Sequence, residues 1–489
     1  MTRNDAQEVA GPADLLATRP GDEPTDSLDL LRDTEYRYLD EGGVVYLDFA
    51  GAGLAADAQH RAHRKRLAAQ CFGNPHSENP TSTAATEVVD RARHAVLSHL
   101  RADPEEYCVI FTANATAACR LVGEAYGFTR RSRFVVTADN HNSVLGIREF
   151  ARARKTPITY VPLDTPDLRT SDDTVYRALH SRNYFRRTEF ARRGLFAYPA
   201  QSNFTGVQHP LEWVDIAHEY GYDVLLDAAA YLPANTLDLG VVKPDFVPIS
   251  WYKLFGYPTG VGCLVARRTA LAALRRPWFA GGTIAAASLH GNWHVMAGDE
   301  SAFEDGTLNF LSIPDITFGI GWLHDIGMDT IHRRVTALTG RLLAGLTALT
   351  HDNGAPMIRL YGPADTVRRG GTVAFNFLDP DGTVLDERLI AAESAAAGIS
   401  LRTGCFCNPG AGEAAFGISL PVLRRLFGTR LATMDEYVTA LGLPSGGAIR
   451  VSLGAPSNLA DIETFLDFAE RTYRNRAATQ EGLRARERC

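Results

Sequence analysis

The chain has 489 residues and a formal net charge of −7, with 45% hydrophobic and 22% charged residues. A chain of this length can bury a large core and form two domains with a cleft between them. The acidic balance argues against a phosphate backbone as the main ligand, so nucleic acid is not an expected partner. Seven scattered cysteines do not suggest a disulfide framework, and a reducing cytoplasm is the expected location.

The two ends of the chain are predicted to lie outside the folded core. Residues 1–28 mix Asp, Glu, Pro and Gly without the apolar core of a secretory signal, so we expect a disordered tail there. Residues 476–489 form a second, charged tail. No apolar run reaches transmembrane length, and no membrane partner is expected.

Between the tails, helical patterns alternate with short apolar runs. Helices are predicted near residues 57–70, 83–100, 114–126, 143–154, 174–181 and 211–221. The strand-like runs are CVIFTA at 108, RFVVTA at 133, ITYVPL at 158, LFAYPA at 195, DVLLDAA at 223, DFVPIS at 245 and VGCLVA at 261. Near-continuous apolar strands separated by helices favour an α/β domain with a mostly parallel sheet between helices.

The pattern changes after a loop-rich segment at 277–312. A long helical stretch follows over 316–350, with Gly327 as a candidate break. The strand GTVAFNFL, a helix at 385–397, the runs ISLR and AIRVSL, and a closing helix at 459–473 come next. This order predicts a large domain over 29–330 and a smaller α+β domain over 331–475, with 29–56 a candidate to pack on the small domain.

Polar side chains interrupt the apolar runs where predicted strands end. FTANATAA leads into a helix whose first turn holds Ala115 and Thr116, NHNSVLG carries His141, AQSNFTG carries Asn203, and LLDAAAY contains Asp227. Ligands of open α/β sheets bind beyond the carboxyl ends of the strands, so these side chains are expected at one edge. The helix start with its hydroxyl is a candidate anion site.

Lysine is rare in this chain, which has 50 Lys plus Arg but only four lysines. One of them, Lys253, lies in PISWYKLFGYPTGVG, between aromatic residues and a glycine-rich turn. Arginine serves equally well where only charge matters, whereas a lysine amine can lose its proton. An anion site, a ring face, an acid and an amine together fit one cofactor.

Each of these residues also has a simpler explanation when taken alone. Thr116 and Asp227 are candidate helix caps, His141 and Asn203 candidate turn residues, and Lys253 a candidate surface residue.

Several longer motifs resemble the class V aminotransferase group of pyridoxal-phosphate enzymes with the type I fold, and within it the cysteine desulfurases. The resemblance is strongest to the N-terminal, desulfurase-like domain of molybdenum cofactor sulfurases. It is carried by NHNSVLGIREFA, AQSNFTG, LLDAAAYLPANTLDL, PDFVPISWYKLFGYPTG, FEDGTLNF, LRTGCFCNPGAG and AIRVSLG, and more weakly by YLDFAGAG. It implies a cytoplasmic enzyme with pyridoxal 5'-phosphate as cofactor.

The resemblance also implies roles for the residues at the strand ends. Lys253 would hold the cofactor and later move the substrate's α-proton, and Asp227 would pair with the ring nitrogen. His141 would stack on the ring, and Asn203 would reach its phenolic oxygen. The remaining cofactor contacts would fall mostly on the phosphate, and they would come from Ala115, Thr116, Ser250 and Tyr252, and from Gly282 and Thr283 of a neighbouring subunit. A homodimer follows from this last contact.

Sulfur chemistry is assigned to RTGCFC by the same resemblance. Cys407 would be the nucleophile, which takes sulfur from L-cysteine as a persulfide and leaves L-alanine, with Cys405 as its neighbour. Arg450 would receive the substrate carboxylate through a two-pronged hydrogen bond. The sulfur would pass to an acceptor protein or a molybdenum cofactor carrier.

Other interpretations of these residues stay open. The two cysteines of RTGCFC, or His290 with His294, have partial metal-ligand spacing, but no further ligands lie at matching spacing, so no metal is expected. The CxC pair could instead be purely structural, and Arg450 could be an ordinary strand arginine.

The sequence departs from the resembling families at three points. Ala230 stands where many relatives have Gln or His, but the sulfurases also have a small residue there, which favours this subgroup and leaves Asn203 as the main partner of the phenolic oxygen. Gly412 stands where the sulfurases have a further cysteine. The sulfurases continue into a second domain, whereas this sequence ends soon after its last predicted helix. The alternatives are therefore a lyase, epimerase or decarboxylase acting on an amino acid, or a non-catalytic scaffold.

Overall fold

The computed structural model describes residues 26–486, apart from residues 76, 181–193, 427, 429–432, 444 and 480–481. Most of the predicted tail over 1–28 lies outside the described residues. Its last three residues, however, begin the helix α1 (Asp26–Glu35), because Leu28 is buried in the core. Among the described helices, none is long and apolar enough to cross a membrane.

The first part of the chain alternates helices and strands, as its sequence pattern predicts. Its strands are β1 (Val45–Tyr46), β2 (Tyr107–Thr112), β3 (Arg133–Thr137), β4 (Ile158–Val161), β5 (Gly194–Pro199), β6 (Tyr222–Asp227), β7 (Phe246–Ser250) and β8 (Gly262–Arg267). Its helices after α1 are α2 (Tyr38–Glu41), α3 (Asp57–Ala69), α4 (Pro80–His99), α5 (Ala115–Ala125), α6 (Asn142–Leu145), α7 (Ile147–Ala153), α8 (Asp172–Leu179), α9 (Trp213–Glu219), α10 (Trp251–Phe255) and α11 (Arg268–Leu271).

Seven of these strands form the central sheet, in the order β2-β8-β7-β6-β5-β3-β4. The pairs within β7-β6-β5-β3-β4 are parallel, and only β8 runs antiparallel to its two neighbours. Alternate residues of a strand point to opposite faces of the sheet, and each face packs in its own hydrophobic cluster. On β3, for example, Val135 belongs to one cluster and Phe134 to the other. The prediction of a mostly parallel sheet covered on both faces is therefore confirmed.

A hairpin, which the sequence pattern did not reveal, lies within the loop-rich segment. It consists of β9 (Ile284–Ser288) and β10 (Trp293–Met296), which pair only with each other among the described strands. The following helical stretch is two helices, α12 (Pro314–Ile326) and α13 (Met328–Ala348). Gly327 separates them with a φ of +87°, a conformation that favours glycine.

The last part of the chain contains a four-stranded antiparallel sheet in the order β11-β12-β15-β14. Its strands and the short β13 are β11 (Ile358–Tyr361), β12 (Thr372–Phe377), β13 (Ile399–Ser400), β14 (Arg402–Gly404) and β15 (Ala448–Ser452). Its helices are α14 (Glu387–Ala396), α15 (Pro409–Ala415), α16 (Leu420–Leu426), α17 (Met434–Ala440) and α18 (Leu459–Tyr473).

The segment after α2 joins the two parts of the chain. Its strand β1 pairs in parallel with β13, and Asp48 forms a bridge with Ser452 at the end of β15. A few residues later, the Gly53 N–H donates to the carbonyl of Tyr252, at 3.0 Å. The backbone of residues 48–55 therefore runs between the C-terminal sheet and α10, which carries Lys253.

At this junction the backbone of residues 48–55 contacts the backbone around α10. A substitution at Gly256 tests whether this contact stabilises the fold. Gly256 has a φ of +76°, and an added Cβ would lie 2.2 Å from Ala55 N and from Leu54 C. Gly260 has a similar φ of +71°, but nothing lies within 4 Å of its added Cβ. Both alanine variants have the unfavourable φ, whereas only Gly256→Ala also has the clash. We expect Gly256→Ala to lose about 1–3 kcal/mol more stability than Gly260→Ala.

Urea denaturation of the cofactor-free variants measures this difference. Equal losses for the two alanine variants would show that the close approach at Gly256 does not stabilise the fold.

Candidate active site

A cavity of about 420 Å³ lies beyond the carboxyl ends of the parallel strands, a volume that suits a small ligand. Eight predicted cofactor residues line it together, and these are Ala115, Thr116, His141, Asn203, Asp227, Ser250, Tyr252 and Lys253. Four other predicted residues are not among its lining residues in the described part of the chain, and these are Gly282, Thr283, Cys407 and Arg450.

Lys253 reaches the cavity because α10 begins directly after β7, at the carboxyl edge of the sheet. Burial lowers the pKa of its amine, and the negative charge of Asp227 opposes this shift without cancelling it. The amine is therefore a weaker base than an ordinary lysine, and its equilibrium is shifted towards the neutral form, which can act as a nucleophile or a base.

His141 lies at the start of α6 and shares a hydrogen-bond chain with two hydroxyl groups. Its Nδ1 accepts from the N–H of Ser143 at 3.1 Å, and the Ser143 and Thr116 hydroxyl oxygens are 2.7 Å apart. Burial lowers the pKa of His141, with a further contribution from the charge of Lys253. The result is a neutral ring, fixed by its own backbone, on the cavity wall.

Ser143 also lines the cavity, although the sequence analysis did not select it. The sequence did carry one signal for Ser143, which is its position two residues after a helix-capping histidine. A serine near the start of a helix often forms hydrogen bonds with the groups at that helix end.

The start of α5 forms another wall of the cavity. Asn114 caps this helix, since its side chain accepts from the N–H of Ala117 at 2.9 Å. Asn114, and not Thr116, is therefore the cap, which leaves the Thr116 hydroxyl for Ser143. Strand β8 approaches closely, because a Cβ at Gly262 would lie 2.6 Å from Asn114 C. Free N–H groups and hydroxyls at this helix start suit an anion.

Asp227 and Asn203 also line the cavity. The Asp227 Oδ1 accepts from the N–H of Ala229 at 3.0 Å, which fixes the carboxylate at the end of β6. Asn203 donates from Nδ2 to the carbonyl of Phe406 at 2.8 Å, and its Oδ1 accepts from Asn408 at 2.9 Å. Asn203 therefore connects the cavity with the loop that carries Cys407.

The loop with Cys407 is anchored to the cavity wall on both sides of the thiol. The Asn142 N–H, next to His141, donates to the carbonyl of Cys407 at 2.7 Å. The buried side chain of Asn408 donates to the carbonyl of Asp139 at 2.6 Å. Phe406 and Cys407 have φ values of +55° and +53°, which are unusual for residues other than glycine. Phe406 is buried by this turn, and Cys407 is exposed.

Arg450 is buried on β15, between a carboxylate and an aromatic ring. It donates to Asp48 Oδ1 at 2.8 Å and to the carbonyl of Asn203 at 3.1 Å. Its guanidinium carbon lies 4.8 Å from the centre of the Phe406 ring, a cation–π contact. Burial lowers the pKa of Arg450 from its high ordinary value, with Asp48 opposing this shift.

Asp48 and Arg402 complete this charged group. Arg402 donates from Nε and Nη2 to Asp48 Oδ2, at 2.9 and 2.7 Å. The sequence pattern does not single out Asp48, although this residue lies in YLDFAGAG. A single acidic residue so far from Arg450 in the chain gives no local signal. No group of three residues in the described part of the chain could hold a metal ion, and His294 instead packs against Phe279.

Comparison with known proteins identifies the family of this chain. The family model Aminotransferase class-V matches residues 45–465. The chain belongs to the class V aminotransferase family. It is similar to a molybdenum cofactor sulfurase from Arabidopsis thaliana, with 37% identity over 470 residues, or 90% of this chain and 57% of that protein. The chain spans little more than half the length of the curated relatives it matches.

Solved structures confirm the type I fold that the sequence predicts for this class V aminotransferase family member. The apo structure of a cysteine desulfurase from Thermococcus onnurineus NA1 has a TM-score of 0.73 and 24% identity, and the match covers 91% of this chain and 97% of that one. A C-DES mutant with glycine covalently linked to its PLP cofactor has a TM-score of 0.65 and 16% identity, over 90% and 99% of the two chains.

The burial of Lys253 predicts a stability difference in the cofactor-free protein. In the unfolded chain its amine binds a proton up to a pKa of about 10.4, whereas in the folded chain it loses the proton at a lower pH. Between these two pKa values the unfolded state binds more protons, so this group adds stability as the pH rises. At neutral pH we expect Lys253→Met to be more stable than the parent, and we expect this advantage to shrink towards alkaline pH.

Urea denaturation at several pH values checks this expectation. Lys243→Met is the control, because Lys243 is a more exposed lysine paired with Glu106 at 2.6 Å, and its loss should destabilise by less than about 1 kcal/mol. A Lys253→Met protein that is less stable than the parent at every pH would contradict the predicted shift.

Proposed function

We propose that this chain is a pyridoxal-phosphate-dependent enzyme of the cysteine desulfurase type, which converts L-cysteine to L-alanine and leaves the sulfur on Cys407. One observation carries the proposal. The backbone of Cys407 is hydrogen-bonded at 2.7 Å to the residue next to His141, so a thiol-bearing loop is attached to the wall of the cavity that holds Lys253.

The residues around the cavity fit the proposed cofactor. The Lys253 amine, with its lowered pKa, suits an aldehyde, and the Asp227 carboxylate suits a protonated ring nitrogen. The neutral His141 ring suits a flat aromatic partner. Thr116, Ser143 and the free N–H groups at the start of α5 suit a phosphate. When bound, pyridoxal phosphate supplies the electron sink that allows an α-proton to leave an amino acid.

The chain's own groups then carry out the proton and sulfur steps. Arg450 binds the substrate carboxylate, and Lys253, neutral once the substrate is held, accepts the α-proton. The Cys407 thiolate attacks the substrate Sγ, so an S–S bond forms and the Sγ–Cβ bond breaks. The proton of the thiol and the α-proton remain available for the Cβ and Cα of alanine. One cysteine and one enzyme thiol thus give one alanine and one persulfide, and no external reductant is consumed.

The two cysteines of the loop lie in different surroundings. Cys407 is exposed and interacts electrostatically with both Arg402 and Arg450. Cys405 has a different environment, since its Sγ donates to the carbonyl of Gly446 at 3.5 Å. This supports Cys407 as the nucleophile and Cys405 as its neighbour.

Incubation with L-cysteine tests the proposal, with alanine measured in solution and the persulfide mapped by mass spectrometry. We expect Lys253→Ala to lose at least about 10²- to 10⁴-fold in rate, and to lose the covalent link to the cofactor. Cys407→Ser should keep the cofactor and form no persulfide. Cys71→Ser is the matched control, because it removes another exposed thiol and should change neither product.

The outcome for Cys407→Ser also separates the alternative reactions. If this variant turns over an amino acid at the parent rate, a lyase, epimerase or decarboxylase activity replaces the desulfurase proposal. Alanine without protein-bound sulfur in the parent would do the same.

The sulfur acceptor is proposed by analogy with the relatives. The similar proteins are named for sulfuration of the molybdenum cofactor, and this chain aligns with only part of them. We propose that the exposed Cys407 passes sulfur to an acceptor held outside the described residues, on a partner protein or a molybdenum cofactor carrier, in a cytoplasmic setting.

A homodimer is part of the same proposal. The β9–β10 hairpin exposes Leu289, Trp293 and Val295, with 90%, 52% and 53% of their surface accessible. Such apolar exposure is typical of an interaction surface. Gly282 and Thr283 lie just before this hairpin, outside their own chain's cavity, where a second copy could use them. The Thr283 hydroxyl and the Thr283 N–H both donate to the carbonyl of Ala280, at 2.8 and 3.2 Å, so a phosphate contact requires one of them to leave that carbonyl.

Sedimentation velocity tests the dimer. Val295→Glu places a charge on the hairpin, and we expect it to shift the protein towards the monomer. Val241→Glu is the matched control, since Val241 is 73% exposed elsewhere and should leave the mass unchanged. A parent protein that sediments as a monomer at micromolar concentration would contradict the proposed dimer.

A further inference from the structure

Arg402 and Arg450 lie directly opposite each other on neighbouring strands. They are register partners across the antiparallel pair β14 and β15. Like charges at such positions repel, so the pair needs a negative group between its members. Asp48 supplies it from a segment 354 residues before Arg402, with one carboxylate oxygen for each arginine.

The position of Asp48 is fixed by close backbone packing. The N–H of Ala50 donates to the Ser452 hydroxyl at 2.8 Å, which ties this segment to the end of β15. An added Cβ at Gly51 would lie 2.4 Å from Asp48 Oδ2 and 2.8 Å from Arg402 Nη2. No side chain fits at Gly51 without displacing the ion pair, so the segment holds the carboxylate against both guanidinium groups.

The three groups leave one unbalanced positive charge. Two guanidinium groups and one carboxylate sum to +1, and Arg450, with 3% of its side chain exposed, retains an Nε that has no partner among the described residues. All three groups interact electrostatically with Lys253, which places this charge beside the cavity. One bound carboxylate would bring the net charge of the group to zero, and a second one would make it negative.

We propose that Asp48 determines the charge of the accepted substrate, by leaving a single positive charge between Arg402 and Arg450 for one carboxylate. Amino acids with an uncharged side chain are then favoured over those with an acidic side chain. The inference rests on the proposed function, because it takes Arg450 as the group that receives the substrate carboxylate. Asp48 is in this sense a specificity-determining residue that acts through the two arginines.

The test compares binding of L-alanine and L-aspartate to the cofactor-loaded protein in a Cys407→Ser background. This background removes the thiol and, with it, turnover. Each amino acid is titrated while the visible absorption of the bound cofactor is recorded, and the ratio of the two Kd values is the readout.

We expect Asp48→Asn, with a site charge of +2, to shift the ratio towards L-aspartate by roughly tenfold. Arg402→Gln, with a site charge of zero, should shift it by a similar factor in the opposite direction. The double variant has the parent's charge of +1 and should restore the parent's ratio. Asp48→Glu keeps the charge and should also keep the ratio near the parent's.

If the site charge controls the ratio of Kd values, the two single variants shift this ratio in opposite directions and the double variant restores it. General damage to the site would instead weaken the binding of both amino acids in every variant. If Asp48→Asn does not fold, Arg402→Gln alone still tests the idea, because the Arg402 side chain is 50% exposed and its replacement is tolerable. Equal ratios in all folded variants that bind both amino acids would overturn the inference and leave the proposed function intact. A parent protein whose absorption responds to neither amino acid would overturn both.

Discussion

The site depends on a lysine amine enclosed by protein at the end of a buried strand. Protein encloses Lys253, so the protonated amine loses hydration, and the charge of Asp227 does not offset this loss in full. The amine's chemistry is therefore a consequence of its place in the fold. The parallel strands β3, β5, β6 and β7 end at the same edge, which is why an acid, an amide and a ring surround that amine.

The second constraint is the close passage of the N-terminal segment between the two sheets. Gly53 and Gly256 allow backbone to touch backbone beside α10, and Gly51 allows the same chain to press Asp48 against Arg402. The buried lysine and the ion pair between Asp48 and Arg402 are thus coupled through one short stretch. A side chain at any of these glycines would separate the elements that the site needs together.

Local patterns predicted much of this fold because the signals for it are local. An apolar run of five or six residues marks a buried strand, and a polar residue at its end marks the site edge, which is how Asp227 and His141 were found. The resemblance of longer motifs then supplied the type I fold. The β9–β10 hairpin was missed because its strands have exposed faces and its residues do not alternate as half-buried strands do.

Asp48 could not be predicted because its partners are remote in sequence. Nothing in YLDFAGAG indicates that its acid will bridge Arg402 and Arg450, since that contact exists only after β1 has paired with β13. Ser143 was missed for a smaller reason, because a serine at a helix start usually serves only the helix. Ion pairs between residues remote in sequence are therefore the part of a site that only the structure reveals.

In the proposed reaction, the loop with Cys407 serves two places, the substrate inside and an acceptor outside. Its left-handed turn at Phe406 and Cys407 costs on the order of 1–3 kcal/mol per residue, and it persists because Asn203, Asn142 and Arg450 hold it. Phe406 and Asn408 fix the backbone, and the Cys407 side chain is exposed. In the proposed reaction, rotation of this one side chain would deliver the sulfur without refolding of the loop. Because one of the loop's anchors, Asn203, also lines the cavity, the position of the thiol is coupled to the cavity wall.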